Sequence, residues 1–194
     1  MTLYEFEFVV TITESMKSNK LTILTISLFL ILAYSCNKAD DTSETITKWK
    51  TQNETYFTNM KDSAGYVLYE IPSAPAGYSY YYKITTAGNQ NSGSPLSTDS
   101  VYVNYKGRTI EGVVFDQTYA GKTPVGDITA RPLMFKLNRL IFGWTYNLMQ
   151  MKVGEIRTIV LPQQLAYGVK YIPSMPYSTL IFDIQLISYK SVAN

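Results

Sequence analysis

The spacing of apolar positions changes regime along this chain. Leu21 to Ala33 is an unbroken apolar run, LTILTISLFLILA. At 1.5 Å per residue it would make a helix of about 20 Å, short of the roughly 30 Å a transmembrane helix has to cross. Asn37 to Thr47 is mostly polar, without apolar period, and reads as a flexible tether. Ile46, Trp49, Asn53, Tyr56, Phe57 and Met60 then recur near helical spacing, with Asp62, Ser63 and Gly65 as stop signals. One amphipathic helix is predicted there, packing on the rest of the chain; a contact with a second copy is the other use for such a face.

From Tyr78 onward the period shortens to that of strands separated by turn residues. Tyr80 to Thr86 is aromatic and β-branched, and TAGNQNSGSPLSTD behind it reads as a loop. Val101, Val103 and Tyr105 alternate with Tyr102, Asn104 and Lys106, and Gly107 and Gly112 bracket a bend. Glu155 to Leu161 and Thr179 to Ser188 are further strands, the last with Leu180, Phe182, Ile184 and Leu186 on one face. Between them Ile141, Trp144, Leu148 and Met151 fall at helical spacing before Val153-Gly154. Strands with one short helix against them make an α+β class. The aromatics Tyr105, Phe115, Phe135, Trp144, Tyr167 and Phe182 are expected to meet on the concave side of the sheet.

Composition narrows the chemistry. The chain of 194 residues is 46% hydrophobic with 17 Tyr, which is a folded composition. Seventeen basic against fifteen acidic residues, with no two basic residues adjacent, lack the footprint of a nucleic-acid binder. There is no His, which removes Ser-His-Asp and Cys-His nucleophile systems, His general bases and His-containing zinc sites. No metal or cofactor is expected. The single Cys, Cys36, excludes an internal disulfide.

That cysteine belongs to the N-terminal signals. Lys17 and Lys20 precede the apolar run, and LAYSC follows it, the order of a signal peptide. LAYSC also resembles a bacterial lipobox, in which the cysteine becomes the acylated first residue of the mature protein and anchors it to a membrane. Cys36 is the expected lipidation site. Met1 to Ser15 carries Glu5, Glu7 and Glu14 and no basic residue, the wrong charge for a leader, so Met16 is the expected start. The expected plan is residues 1–35 as leader, 36–47 as lipidated cysteine and tether, 48–77 as a helical extension and 78–190 as the folded domain.

Within that domain the local signatures stand in a telling order. VNYKGRTIEGVVFDQT, PLMFKLNRLIFGWTYNLMQMKVGE, LPQQLAYG and IPSMPYSTLIFDIQL run between Asp99 and Lys190. Any one is weak; in this sequence they resemble the FKBP-type peptidyl-prolyl isomerases. The resemblance implies an antiparallel half-barrel wrapped on one short helix, with an apolar pocket that accepts a prolyl side chain. It implies Trp144 as the pocket floor, with Tyr105, Phe115, Leu133, Leu140, Ile141 and Phe182 as walls. Asp116 and Tyr167 would be the polar pair acting on the amide. Leu133 stands where many members carry an aromatic, and the stretch Val169 to Ser178 is shorter than the family's loop, with Met175 preferred to Ser174 as its lid residue. The loop Thr118 to Arg131 is long.

The implied partners are proline-containing polypeptides in a bacterial envelope, with catalysed X-Pro rotation as the leading function. A module on the same fold that holds such segments without turnover is the alternative.

Overall fold

A computed structural model of the chain describes residues 42–72, 74–170 and 176–191. The expected leader, Cys36 and Met175 lie outside the described residues. Helix α1 covers residues 42–59, so it begins inside the stretch expected as tether. Among the described residues one sheet has seven strands, all neighbours antiparallel. In chain order these are β1 (Val67–Glu70), β2 (Ser79–Thr86), β3 (Ser100–Thr109), β4 (Val114–Gln117), β5 (Leu133–Lys136), β6 (Ile156–Leu161) and β7 (Leu180–Lys190). Helix α2 (Phe142–Leu148) sits between β5 and β6.

The order across the sheet is β1-β2-β6-β7-β3-β4, and β5 also pairs with β3. The long β3–β7 ladder runs from Ser100 opposite Lys190 to Thr109 opposite Leu180, with a register shift between Tyr102 and Val103. The free side of β3 is shared. Its first residues pair with β5 and its last with β4, and this bends the sheet around α2. Strand β1 was not expected: the span 48–77 read as a helical extension contains it. VLYE is too short to show a period, and its partner register on β2 supplies what local sequence does not.

Both faces of the central strands are buried, by different partners. On one face Tyr80, Val101, Val103, Ile159, Leu161, Phe182, Ile184 and Leu186 enclose Trp144, Leu148 and Met151. On the other, Tyr81, Val160 and Ile181 pack with Met60, Tyr56 and Phe57, and Phe57 meets Tyr81 edge-on at 5.2 Å. This is why β6 (IRTIVL) is buried at every position: strands covered on both faces lose the apolar-polar alternation of half-exposed ones. The helix predicted from Trp49, Asn53 and Phe57 packs on the sheet, as its apolar spacing requires.

A buried polar cluster fixes the passage from α2 into β6. Arg157 is ion-paired through Nε with Glu155, donates to the Gln150 carbonyl at 2.9 Å, and lies 4.7 Å from the Tyr82 ring. Glu155 accepts the Lys152 amide at 3.0 Å. Charges out of water survive only with such complete pairing.

Candidate functional site

Aromatic residues from five separate elements converge above α2. Ile141 is the extended residue that opens this helix, and the Thr145 hydroxyl donates to the Leu137 carbonyl at 2.9 Å, tying the helix to the preceding turn. Trp144, on the first turn, is thereby held with only 4% of its surface exposed. Around it stand Tyr105 at 5.1 Å, Phe182 at 5.3 Å and Phe135 at 6.3 Å between ring centroids, all near perpendicular. Phe115 completes the wall, edge-on to Phe182 at 5.7 Å. Edge-to-face rings satisfy their quadrupoles without closing the space between them. They leave an open cup of about 220 Å³, with Leu140 and Ile141 on its rim.

Polar groups in this cup are few. The Tyr105 hydroxyl donates to Asp116 Oδ2 at 2.6 Å. Tyr167 lines the cup, and among the described residues its hydroxyl has no hydrogen-bond partner. Burial pushes both phenols above their usual pKa, and Asp116 adds to each, by hydrogen bond and charge at Tyr105 and by charge at Tyr167. Both therefore stay protonated donors across the physiological range. The Trp144 indole N–H is buried without a partner among the described residues. An apolar ring of five or six atoms, with its adjoining polar group held by one phenol, suits a cup of this size.

The structure thus brings together Tyr105, Phe115, Asp116, Leu140, Ile141, Trp144, Tyr167 and Phe182, as the sequence reading expected. Leu133 is a correction. It is 45% exposed and faces a separate surface recess with Gln117, Thr118, Tyr119, Thr129 and Arg131. The reason is its place at the outer end of β5, opposite Val103, beside the long loop; Phe135, two residues on and on the same strand face, reaches Trp144 instead. Phe135 was legible as a core aromatic, though not as a lining residue. Arg139 also lines the cup and carried no signal in the sequence.

The loop Thr118 to Arg131 is braced from within rather than folded over the cup. Asp127 accepts the Gly121 amide at 2.6 Å and the Thr129 amide and hydroxyl at 2.7 and 2.6 Å. The Thr129 hydroxyl first, and then these amides, hold its carboxyl below the usual range. Lys106 donates to the Gly121 carbonyl at 2.6 Å from the strand beneath.

Gly107 is a site residue in a second sense. A Cβ there would lie 2.6 Å from Phe115 Cζ and 2.8 Å from Phe182 Cε1, so two wall rings rest directly on the backbone. Gly107→Ala is expected to lower stability by about 1–3 kcal/mol in urea unfolding and to shift the ring resonances of Phe115 and Phe182. Unchanged ring resonances would remove Gly107 from the description of the site.

Comparison with known proteins identifies relatives of this chain. Residues 92–187 match the profile of a family described as FKBP-type peptidyl-prolyl cis-trans isomerase. FkpA of Escherichia coli, the FKBP-type isomerase of that name, is 38% identical over 110 residues, which is 56% of this chain and 37% of FkpA. Its crystal structure superposes with a TM-score of 0.63 at 29% identity, covering 84% of this chain and 71% of that one. Outer membrane protein MIP of Legionella longbeachae is 34% identical over 146 residues, 74% of this chain and 55% of MIP. Peptidyl-prolyl cis-trans isomerase FPR2 of Saccharomyces cerevisiae is 36% identical over 98 residues, 49% of this chain and 68% of FPR2. The chain spans about 37 to 55% of the length of these bacterial relatives.

Proposed function

The chain belongs to the FKBP-type peptidyl-prolyl cis-trans isomerase family, and from that premise we propose that it catalyses rotation about X-Pro bonds of polypeptides held in the cup above Trp144. The observation that carries this reading is the convergence of Tyr105, Phe115, Phe135, Trp144 and Phe182 on one small apolar space, with Asp116 and Tyr167 at its edge.

The chemistry needs no covalent step. A planar amide carries partial double-bond character and charge on its oxygen, and the barrier to rotation is about 18–20 kcal/mol. Water stabilises that charged form; an apolar cup does not, so transfer of the X-Pro amide from water lowers the cost of twisting it. In this reading the prolyl ring lies on Trp144. The Tyr167 hydroxyl donates to a backbone carbonyl of the substrate and fixes its register. Tyr105 holds the Asp116 carboxylate so that its negative field lies beside the carbonyl carbon, which becomes more electron-poor as conjugation is lost, a preorganised arrangement of the kind that lowers barriers.

The envelope is the proposed location and exported polypeptides the proposed substrates. Supports are the leader-like order of Lys17, Lys20 and the apolar run, and the name of the relative Outer membrane protein MIP. Acylation of Cys36 would supply the anchor, and mass spectrometry of the mature N-terminus decides it.

The test of function is refolding of a protein limited by a slow prolyl phase of about 10–100 s. Substoichiometric chain is expected to shorten that phase, and Asp116→Ala to reduce the acceleration by about tenfold or more. A slow phase that the parent chain leaves unchanged rejects catalysis and leaves the binding-module reading.

A further inference from the structure

Helix α1 meets the sheet through apolar contacts that its spacing announced, but one of its edges makes contacts of a different kind. The Asn53 side chain is fully buried. Its Oδ1 accepts the Thr179 amide at 2.7 Å, and its carbonyl accepts the Thr179 hydroxyl at 3.1 Å. Trp49 Nε1 donates to the Ser178 hydroxyl at 3.1 Å, and Lys50 Nζ lies 5.0 Å from the centre of the Tyr177 ring. Three consecutive residues, Tyr177 to Thr179, are thus gripped by one turn of a helix more than 120 positions away.

The gripped segment is itself conformationally costly. Tyr177 has φ of 64°, the one non-glycine residue at positive φ among the described residues. An aromatic side chain in that region persists only where its surroundings hold it. From there the contact continues inward: the Tyr177 amide donates to the Gly168 carbonyl at 2.8 Å, and Gly168 follows Tyr167, whose ring lines the cup.

We propose that Trp49, Lys50 and Asn53 are positioning residues for Tyr167, so that α1 sets the register in which the cup receives its substrate. This rests on the function proposed above. A helix that only covered the outer sheet face would be served by Tyr56 and Phe57; burying an asparagine to satisfy Thr179 does nothing for that face. The grip is physically contiguous, with each link a packed or hydrogen-bonded contact, which is the form a coupling between distant positions has to take to be tested.

A double-mutant cycle tests it. Asn53→Ala and Lys50→Gln are each made in the parent chain and in Tyr167→Phe, and kcat/KM for an X-Pro peptide is measured for all six chains, with thermal melts confirming that each is folded. Lys50 is on the surface with 43% of its side chain exposed, so its variant keeps the fold even where Asn53→Ala does not. Expected losses are about tenfold for Asn53→Ala and about threefold for Lys50→Gln in the parent, carried mainly by KM, and less than about twofold for either once the Tyr167 hydroxyl is absent. Equal losses in both backgrounds, or no loss in a folded variant, would overturn the proposal. Should the parent bind the peptide without turnover, the isomerase reading fails visibly in the parent, and the same cycle read in Kd still decides the positioning role. A parent that neither turns over nor binds the peptide overturns both.

Discussion

Trp144→Ala will lose the acceleration of X-Pro exchange and about 3–5 kcal/mol of stability together. The indole touches the rings of Tyr105, Phe135 and Phe182 at once. Its removal takes away the floor on which the prolyl ring is proposed to rest, and it leaves a void that a seven-residue helix and an edge-on aromatic set collapse into poorly. The two losses are separable. Leu148, on the same helix and fully buried, lies away from the cup, so Leu148→Ala is expected to cost about 2–5 kcal/mol while keeping most activity below its unfolding temperature. Urea melts and peptide exchange on the two variants check this pair. Equal activity losses at equal stability would mean that Trp144 acts only as core.

The second large effect is on stability and lies outside the cup. Glu155→Ala leaves the Arg157 guanidinium buried among Tyr82, Asn147 and the Gln150 carbonyl without its counter-charge. Breaking such a pair from one side costs about 3–5 kcal/mol, because the desolvation of the remaining ion is no longer offset. Removing the arginine as well, in Glu155→Ala/Arg157→Met, is expected to recover most of that loss, since apolar residues of similar volume often replace a buried pair at little cost. Chemical denaturation of the single and double variants measures it. A single variant within about 1 kcal/mol of the parent would show that water reaches Arg157 and that the cluster does not set the α2–β6 passage.

How far the sequence made this legible depends on which force acted at each position. Where burial is one-sided the period of the side chains is enough: Leu180, Phe182, Ile184 and Leu186 read as one strand face, and Trp49, Asn53, Phe57 and Met60 as one helix face, and both are so used. The ordered local motifs carried most of the expected site: of the assigned residues that are described, all but Leu133 line the cup, whereas Phe135 and Arg139 line it without having been assigned and Met175 lies outside the described residues. The miss at Leu133 came from strand geometry. Leu133 and Phe135 share a face, and which of them meets Trp144 depends on the bend that β3 acquires by pairing with β4 and β5 in succession, a property of no local segment. The same holds for β1, whose four residues become a strand only against β2. The Asn53–Thr179 bonds join residues 126 positions apart, and an asparagine on a helix face carries no mark of the partner it will meet. Gly107 could have been suspected from its place in a strand, where glycine often marks a close approach; that two wall rings make the approach required the fold.

The cup above Trp144 is proposed to turn X-Pro bonds over rather than merely hold them. Two-dimensional exchange NMR on an X-Pro peptide with a substoichiometric amount of the chain addresses it directly, because cis and trans signals exchange unaided over tens to hundreds of seconds and give no cross-peaks on the second timescale. Cis–trans cross-peaks are expected with the parent chain, fading in Trp144→Ala and Asp116→Ala. Peptide signals that broaden on binding while the cross-peaks stay absent would contradict the proposal.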